Sequence, residues 1–335
     1  MKKAFDSALY IRLQTAAILK RLKKFKRLYL EWGGKLLYDG HASRVLPGYE
    51  ITAKAKILKK LKGSEIVYCI NAKDLQSRKV LGLANLSYEQ QSLRDLRDIK
   101  KFGLKNKFVV ITRFSGERKA LGFAERLEKI GKDVYFHKEV KGYTKSVAKA
   151  IQSYKSQPYV PIQSNLIVIS GPAGGSGKMA FALSQIYHEK KKDMDSGFMK
   201  FETFPIWNLD PWHPVNLAYE AATADLQDKV MADPYYRKAY GKKATNYNRD
   251  IENFSILQAI SRKITGKKFP YGYKSPTDMG VNMAGKAITD DLACRQAAVA
   301  EIKRRYKEYE REYRQKRQPK STLIRMRQIM KKIKT

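Results

Sequence analysis

Cysteine is nearly absent. The 335 residues hold two, Cys69 and Cys294, too few for a disulfide framework, so the expectation is reduced thiols in a cytoplasmic protein. Histidine is almost as scarce, at four residues. No His or Cys pair has metal-ligand spacing, and no metal site is expected. Nothing resembles the strained serine turn of a hydrolase, and no nucleophilic-cysteine signature surrounds either thiol. Apolar runs are short: none approaches the roughly 18–20 residues that span a bilayer. Behind Met1-Lys2-Lys3, the charged residues Asp6, Arg12 and Lys20 interrupt what would be a signal-peptide core, which argues against secretion. Acidic residues are the minority charge, 32 against 68 Lys and Arg, leaving a formal net charge of +36.

That excess points to anionic partners: a phosphorylated small molecule or nucleotide, nucleic acid or an acidic membrane surface, of which no membrane partner is expected. Lys20–Arg27, Lys303–Arg305 and Arg325–Lys334 are basic runs suited to a phosphate backbone, so weak non-specific nucleic-acid binding is expected. No helix-turn-helix, zinc finger or aromatic RNA-binding signature accompanies them. Apolar residues reach 43% and aromatics 11%, enough for a sizeable core and against disorder throughout.

Periodicity divides the chain. Residues 1–26 read as a basic helix with Phe5, Leu9, Leu13 and Ala16 inward. Residues 27–195 alternate apolar runs with helical patterns. The runs are Leu28–Leu30, Ile66–Ile70, Phe108–Ile111, Val134–Phe136 and Leu166–Ile169. A capping box at Ser87 and Gln90 opens a helix that ends at Gly103, with Leu93, Leu96, Ile99 and Phe102 inward. Another carries Leu121, Ala124, Leu127 and Ile130 and stops at Gly131. Strands apolar along their whole length, alternating with helices, indicate a doubly wound, mostly parallel α/β sheet covered on both faces. Residues 196–288 read as an irregular and helical region, with helices over 215–230 and 251–264 and dense polar stretches between them. Residues 289–335 read as a long basic helix and tail. Leu292, Val299, Ile302, Tyr306, Tyr309 and Tyr313 form a heptad-like seam, which suits packing on the chain's own domain or, alternatively, a homodimer through 289–317.

The most informative stretch is Ser170-Gly171-Pro172-Ala173-Gly174-Gly175-Ser176-Gly177-Lys178-Met179. A strand enters a glycine-rich loop and a helix leaves it, the setting of a phosphate-binding loop. Glycines let successive amides converge on an anion. The helix start adds partial positive charge and Lys178 a full one. The spacing departs from Walker A: five residues rather than four separate Gly171 from Gly177, and Met179 stands where a Mg²⁺-binding Ser or Thr belongs. Metal-assisted nucleotide hydrolysis is therefore not the reading. An anion site over Gly174, Gly175, Ser176, Gly177 and Lys178 is, with a tight structural turn as the alternative. In such sheets ligands sit beyond the carboxyl ends of the strands. Those ends here carry Glu31–Lys35, Asn71–Asp74, Thr112-Arg113 and His137-Lys138.

Elsewhere His41 and Asp278 are candidate acid–base residues, and Arg44, Asn248, Arg249 and Asn282 are candidate ligand-binding residues. Loop capping and turn hydrogen bonding are the bland reading of the Asn and Asp residues.

Several long segments together resemble a known family. They are Glu31–Lys35, His41–Gly48, Gly175–Met179, Phe201–Leu209, His213–Leu226, Asn246–Asp250 and Ser275–Gly285. The family is bacterial, uncharacterised, and catalogued as domain of unknown function 1846. The resemblance implies an α/β N-terminal domain followed by a helical region, and supplies no activity. It also implies a further C-terminal domain that this chain is expected to lack. The reading is then a cytosolic protein that binds a phosphate-bearing small molecule or nucleotide, with transferase chemistry as the guess and no cofactor identified. The alternatives are an RNA-associated or scaffolding protein, and a degenerate paralogue without turnover.

Overall fold

The computed structural model describes residues 3–81, 86–142, 145–266 and 272–333. Residues 1, 2, 334 and 335, at the ends of the expected basic helix and tail, lie outside them. In chain order the strands are β1 (Arg27–Trp32), β2 (Glu65–Asn71), β3 (Val80–Leu81), β4 (Leu86–Ser87), β5 (Phe108–Phe114), β6 (Asp133–Lys138), β7 (Leu166–Ser170), β8 (Ser196–Phe201), β9 (Val230–Ala232), β10 (Thr245–Tyr247) and β11 (Gly280–Val281). The helices are α1 (Ser7–Leu22), α2 (Gly40–Val45), α3 (Ala53–Lys60), α4 (Ala72–Gln76), α5 (Tyr88–Lys101), α6 (Arg118–Lys129) and α7 (Val147–Lys155). They continue with α8 (Lys178–Lys190), α9 (Pro214–Ala222), α10 (Pro234–Tyr240), α11 (Asn248–Thr265), α12 (Pro276–Met279), α13 (Asp291–Arg314) and α14 (Lys320–Lys332).

Seven strands form one sheet in the order β11-β8-β1-β7-β2-β5-β6, and every pairing in it is parallel. β3–β4 and β9–β10 are small antiparallel pairs. The central strands β2 and β7 are buried at every residue, because helices cover both faces and leave no side for polar side chains. On one face Leu28, Leu30, Tyr68, Val168 and Met199 pack with Ile18, Ile57, Leu96, Phe123, Val215 and Ile302. On the other Tyr29, Val67, Cys69, Ile167, Ile169 and Phe198 pack with Tyr154, Phe181, Ile186, Phe254 and Leu257.

This topology opens a crevice. The chain leaves β1 toward β2, over the face that carries α3. It leaves β7 toward β8, on the far side of β1, over the face that carries α8. Adjacent strands whose crossovers depart in opposite directions part at their carboxyl ends, where ligands of doubly wound sheets lie.

The five apolar runs are all strands of this sheet, and the capping box at Ser87 and Gln90 is formed in both directions. Residues 196–288 differ from their sequence reading, since they contribute β8 and β11 to the same sheet. The helix expected over 215–230 stops at Ala222 and is followed by a short turn and β9. Two inner faces are rotated. In α6 the buried residues are Ala120, Phe123, Ala124 and Leu127, while Leu121 and Ile130 are exposed. Steps of three residues drift by about 60° each, so the ends of a four-member stripe point apart. In α1 the buried side is Tyr10, Ile11, Gln14, Thr15 and Ile18. The long helix α13 buries Cys294, Ala298, Ile302 and Tyr309, while Leu292 and Tyr313 of the seam are exposed. It packs against α9, α14 and α2 of its own chain. The basic tail is helical too, burying Leu323, Met326 and Ile329.

Candidate functional site

The glycine loop caps the crevice at the carboxyl end of β7. Gly175 and Gly177 adopt φ of 79° and 78°, a region that side chains enter only with strain. At Gly177 a Cβ would also stand 2.8 Å from the Thr112 side chain. Neighbouring strand ends hold the loop by its carbonyls. Thr112 Oγ1 donates to Ser176 O at 2.9 Å, Asn71 Nδ2 to Gly175 O at 3.3 Å, and Lys35 Nζ to Pro172 O at 3.4 Å. With the carbonyls drawn outward, the amides are left over. Among the described residues, no acceptor takes the amides of Ala173 through Ala180, the last three of which are the orphan donors of the first turn of α8. The Ser176 hydroxyl is buried without a hydrogen-bond partner. Lys178 forms no ion pair among the described residues. Leu226, in the turn after α9, lies 3.5 Å from where a Cβ of Gly174 would be, so that turn roofs the loop.

One strand beyond β1, a second polar group occupies the same edge. Glu31 on β1 is in register with Lys200 on β8, and strand alternation puts both on the side covered by α8 and α11. Lys200 Nζ bonds to Asp250 Oδ2 and to the Tyr247 hydroxyl, and lies 4.0 Å from Glu202 Oε1. Three carboxylates, those of Glu31, Glu202 and Asp250, thus act on one buried ammonium. Burial opposes its charge, but the three carboxylates outweigh burial and raise the Lys200 pKa. Glu202 responds in the other direction. Burial pushes its carboxyl up to about 7, Lys200 pulling it down and Asp250 pushing it further up. Glu202 Oε2 accepts from Trp207 Nε1 at 3.2 Å, whereas Glu202 Oε1 and Glu31 Oε2 are buried without hydrogen-bond partners. The rings of Tyr219 and Tyr247, 6.3 Å apart and half-buried, flank the group.

The residues singled out in the sequence fall in several places. Gly174 through Lys178 form the loop just described. Arg249 lies over the Tyr247 ring at 5.8 Å and pairs with Asp228 at 2.7 Å, beside the Lys200 group. Asn248, at the start of α11, takes the Lys229 amide on its Oδ1 and donates to Glu252. His41 and Arg44, on α2, face the opposite side of the sheet. There Glu301 accepts from Arg44, Arg304 and Arg305, and its Oε1 lies 3.6 Å from His41 Nδ1. Burial and the Arg305 charge lower the His41 pKa, Glu301 opposing them. Asp278 is by the edge strand β11, accepting from the Lys274 amide and the Tyr240 hydroxyl. Asn282 is buried, donates to the Thr203 and Pro205 carbonyls and accepts from the Ala284 amide. The loop and these two residues are not brought together: the loop lies at β7, and two strands, β1 and β8, separate it from β11 in the sheet order. Lys200 belongs to no motif, and Glu202 falls within the Phe201–Leu209 segment of the family resemblance without having been singled out as a site residue. Their one sequence signal is charge alternating with aromatic residues in Phe198-Met199-Lys200-Phe201-Glu202, which places both charges on one side of a strand.

No helix among the described residues is long and apolar enough to cross a membrane. A family model described as "Domain of unknown function DUF1846, N-terminal" matches residues 3–334. A UPF0371 protein of Clostridium tetani is 45% identical over 333 residues, which cover 98% of this chain and 66% of the relative. One from Streptococcus pneumoniae is 47% identical over 309 residues, 91% of this chain and 62% of the relative. Another, from Streptococcus thermophilus, is 44% identical over 333 residues, 98% and 67%. The chain therefore spans about two thirds of the length of the curated relatives it matches. With an α/β sheet followed by helices and a family match along nearly its whole length, the chain belongs to the uncharacterised family described as domain of unknown function DUF1846.

Proposed function

We propose that this chain binds a phosphate-bearing small molecule or nucleotide in the crevice between β1 and β7. The phosphate rests on the amides of Gly174, Gly175, Ser176 and Gly177 and on Lys178. The observation that carries the reading is the run of amides from Ala173 to Ala180 without acceptors, at the start of a helix and at the point where the crossovers part. Gly174 and Gly175 are exposed while Ser176 through Ala180 are buried or half-buried, so the run opens to solvent, and an anion's oxygens satisfy several of its donors at once. Lys178, with no carboxylate partner among the described residues, adds the full charge. Met179 offers no hydroxyl for Mg²⁺, so binding and positioning, rather than metal-assisted hydrolysis, is the role of the loop. Transfer of a group to or from the phosphorylated ligand is the reaction class inferred, by analogy of architecture alone.

Thermal unfolding of the full chain with nucleotides and sugar phosphates tests this. A ligand present at 100 times its Kd adds about 2.7 kcal/mol. Lys178→Ala should abolish the increase, and an undiminished increase in that variant would contradict the loop as the phosphate site. The +36 charge favours a second reading, an RNA-associated surface. Oligonucleotide retained through purification in high salt, with no small-molecule shift, would favour it.

A further inference from the structure

We infer that the ligand is a sugar phosphate, its hydroxyls donating to the unpartnered carboxylate oxygens of Glu31 and Glu202 beside the phosphate loop. The inference rests on the phosphate reading of that loop and extends it along the crevice.

Glu202 is 4% exposed, yet its Oε1 has no hydrogen-bond partner, and neither has Glu31 Oε2. A buried acceptor without a donor is costly, so these two atoms specify what a ligand has to bring. Both lie on the α8 and α11 side of the sheet: Glu31 is one strand from the loop, and Glu202 is one pleat further out on the next strand. Adjacent strands are about 4.8 Å apart, so a molecule anchored by phosphate at the end of β7 extends over Glu31 before it reaches Glu202.

Two features select a neutral polyol. Lys200 already stands among the carboxylates, bonded to Asp250 and to the Tyr247 hydroxyl, so the site holds its positive charge before any ligand arrives. The described residues contain no group of three or more His, Cys, Asp or Glu side chains able to hold a metal ion, which leaves hydroxyl donors as the match for the free oxygens.

The test is titration calorimetry of the full chain with inorganic phosphate, glucose 6-phosphate and glucosamine 6-phosphate. It is repeated for Glu202→Gln and Glu31→Gln, and for Lys178→Ala. The expected result is glucose 6-phosphate at least tenfold tighter than inorganic phosphate. Each Gln variant should lose most of that advantage, roughly tenfold, as hydrogen bonds to a charged acceptor are stronger than to a neutral one. Inorganic phosphate affinity should be unchanged in both Gln variants, which also shows that they are folded at the loop, and lost in Lys178→Ala. Equal affinity for glucose 6-phosphate and inorganic phosphate would overturn the sugar inference and leave the loop reading standing. An advantage confined to glucosamine 6-phosphate would overturn it in favour of an ammonium subsite. No binding of any of the three would remove the loop reading, and the inference with it.

Discussion

Two ionic groups lie on opposite sides of this sheet, and they are built in contrasting ways. On the α13 side one carboxylate, Glu301, is surrounded by cations. Its Oε1 accepts from Arg304 and Arg305, and its Oε2 from Arg44 and Arg304. Burial opposes the ionised form, but hydrogen bonds from Arg304 and His41 and the charges of Arg305 and Arg44 hold Glu301 well below the usual carboxylate range. On the α11 side one cation, Lys200, is surrounded by carboxylates, two of them keep oxygens without partners, and Glu202 is pushed up to about 7. In the first group both carboxylate oxygens are satisfied, although His41 Nε2 beside them is buried without a partner, and the group ties α2 to α13. The second is unsaturated and borders the crevice. Burial and charge are common to both; the difference lies in the carboxylates, whose oxygens are satisfied in the first group and partly unmet in the second.

The contrast breaks if the two glutamates respond alike to substitution. Glu301→Gln removes the charge that compensates the buried Arg305, and should lower unfolding stability at pH 7 by about 4 kcal/mol, read by urea denaturation. Because the Glu301 pKa is lowered by folding, its contribution is present above its ordinary value near 4.5 and fades as pH falls below that. Glu202→Gln should do the reverse. Its pKa is raised from 4.5 to about 7 by folding, so the parent loses stability as pH rises from about 4.5 through 7. The variant should flatten that decline, a difference on the order of 3 kcal/mol by pH 8. A Glu202→Gln protein that is destabilised at pH 8 would place Glu202 in the same structural class as Glu301.

Smaller effects sharpen the loop's part. Gly177→Ala combines a φ of 78° with the Thr112 side chain at 2.8 Å and should cost about 2 kcal/mol. Gly175→Ala, with a φ of 79° but open space around the Cβ position, should cost about 1 kcal/mol. Equal costs measured by thermal unfolding would mean that contact with Thr112 does not shape the loop. Lys178→Ala, which breaks no ion pair among the described residues, should change stability by less than about 0.5 kcal/mol while removing phosphate affinity.

Much of the architecture could be read from the residues. Runs such as Ile66–Ile70 and Leu166–Ile169 are apolar throughout because both faces of their strands are covered, and that pattern needs no tertiary knowledge. β8 was hidden because Ser196, Gly197 and Lys200 interrupt its apolar residues, and β11 because two residues carry no period. The inner face of α13 was obscured because Glu301, Arg305 and Glu312 are on its buried side, where apolar periodicity is blind to paired charges. The glycine loop announces itself by local composition, although Lys35, Asn71 and Thr112 hold it from other strand ends. The Lys200 group depends on β1, β8 and α11 meeting, far apart in sequence, and only the fold brings them together. Asp278 and Asn282 are polar residues dense in sequence whose hydrogen bonds are structural: Asp278 accepts from the Lys274 amide and the Tyr240 hydroxyl, and Asn282 donates to the distant Thr203 and Pro205 carbonyls.

The most direct measurement is nuclear magnetic resonance of the full chain labelled with nitrogen-15 at its 21 glycines, titrated with inorganic phosphate and then with glucose 6-phosphate. The Gly174, Gly175 and Gly177 amide signals should move together and saturate, and glycines remote from the crevice, such as Gly63 and Gly131, should stay in place. Unmoved loop glycines at phosphate concentrations that shift signals elsewhere would contradict the amide cup on which the functional account stands.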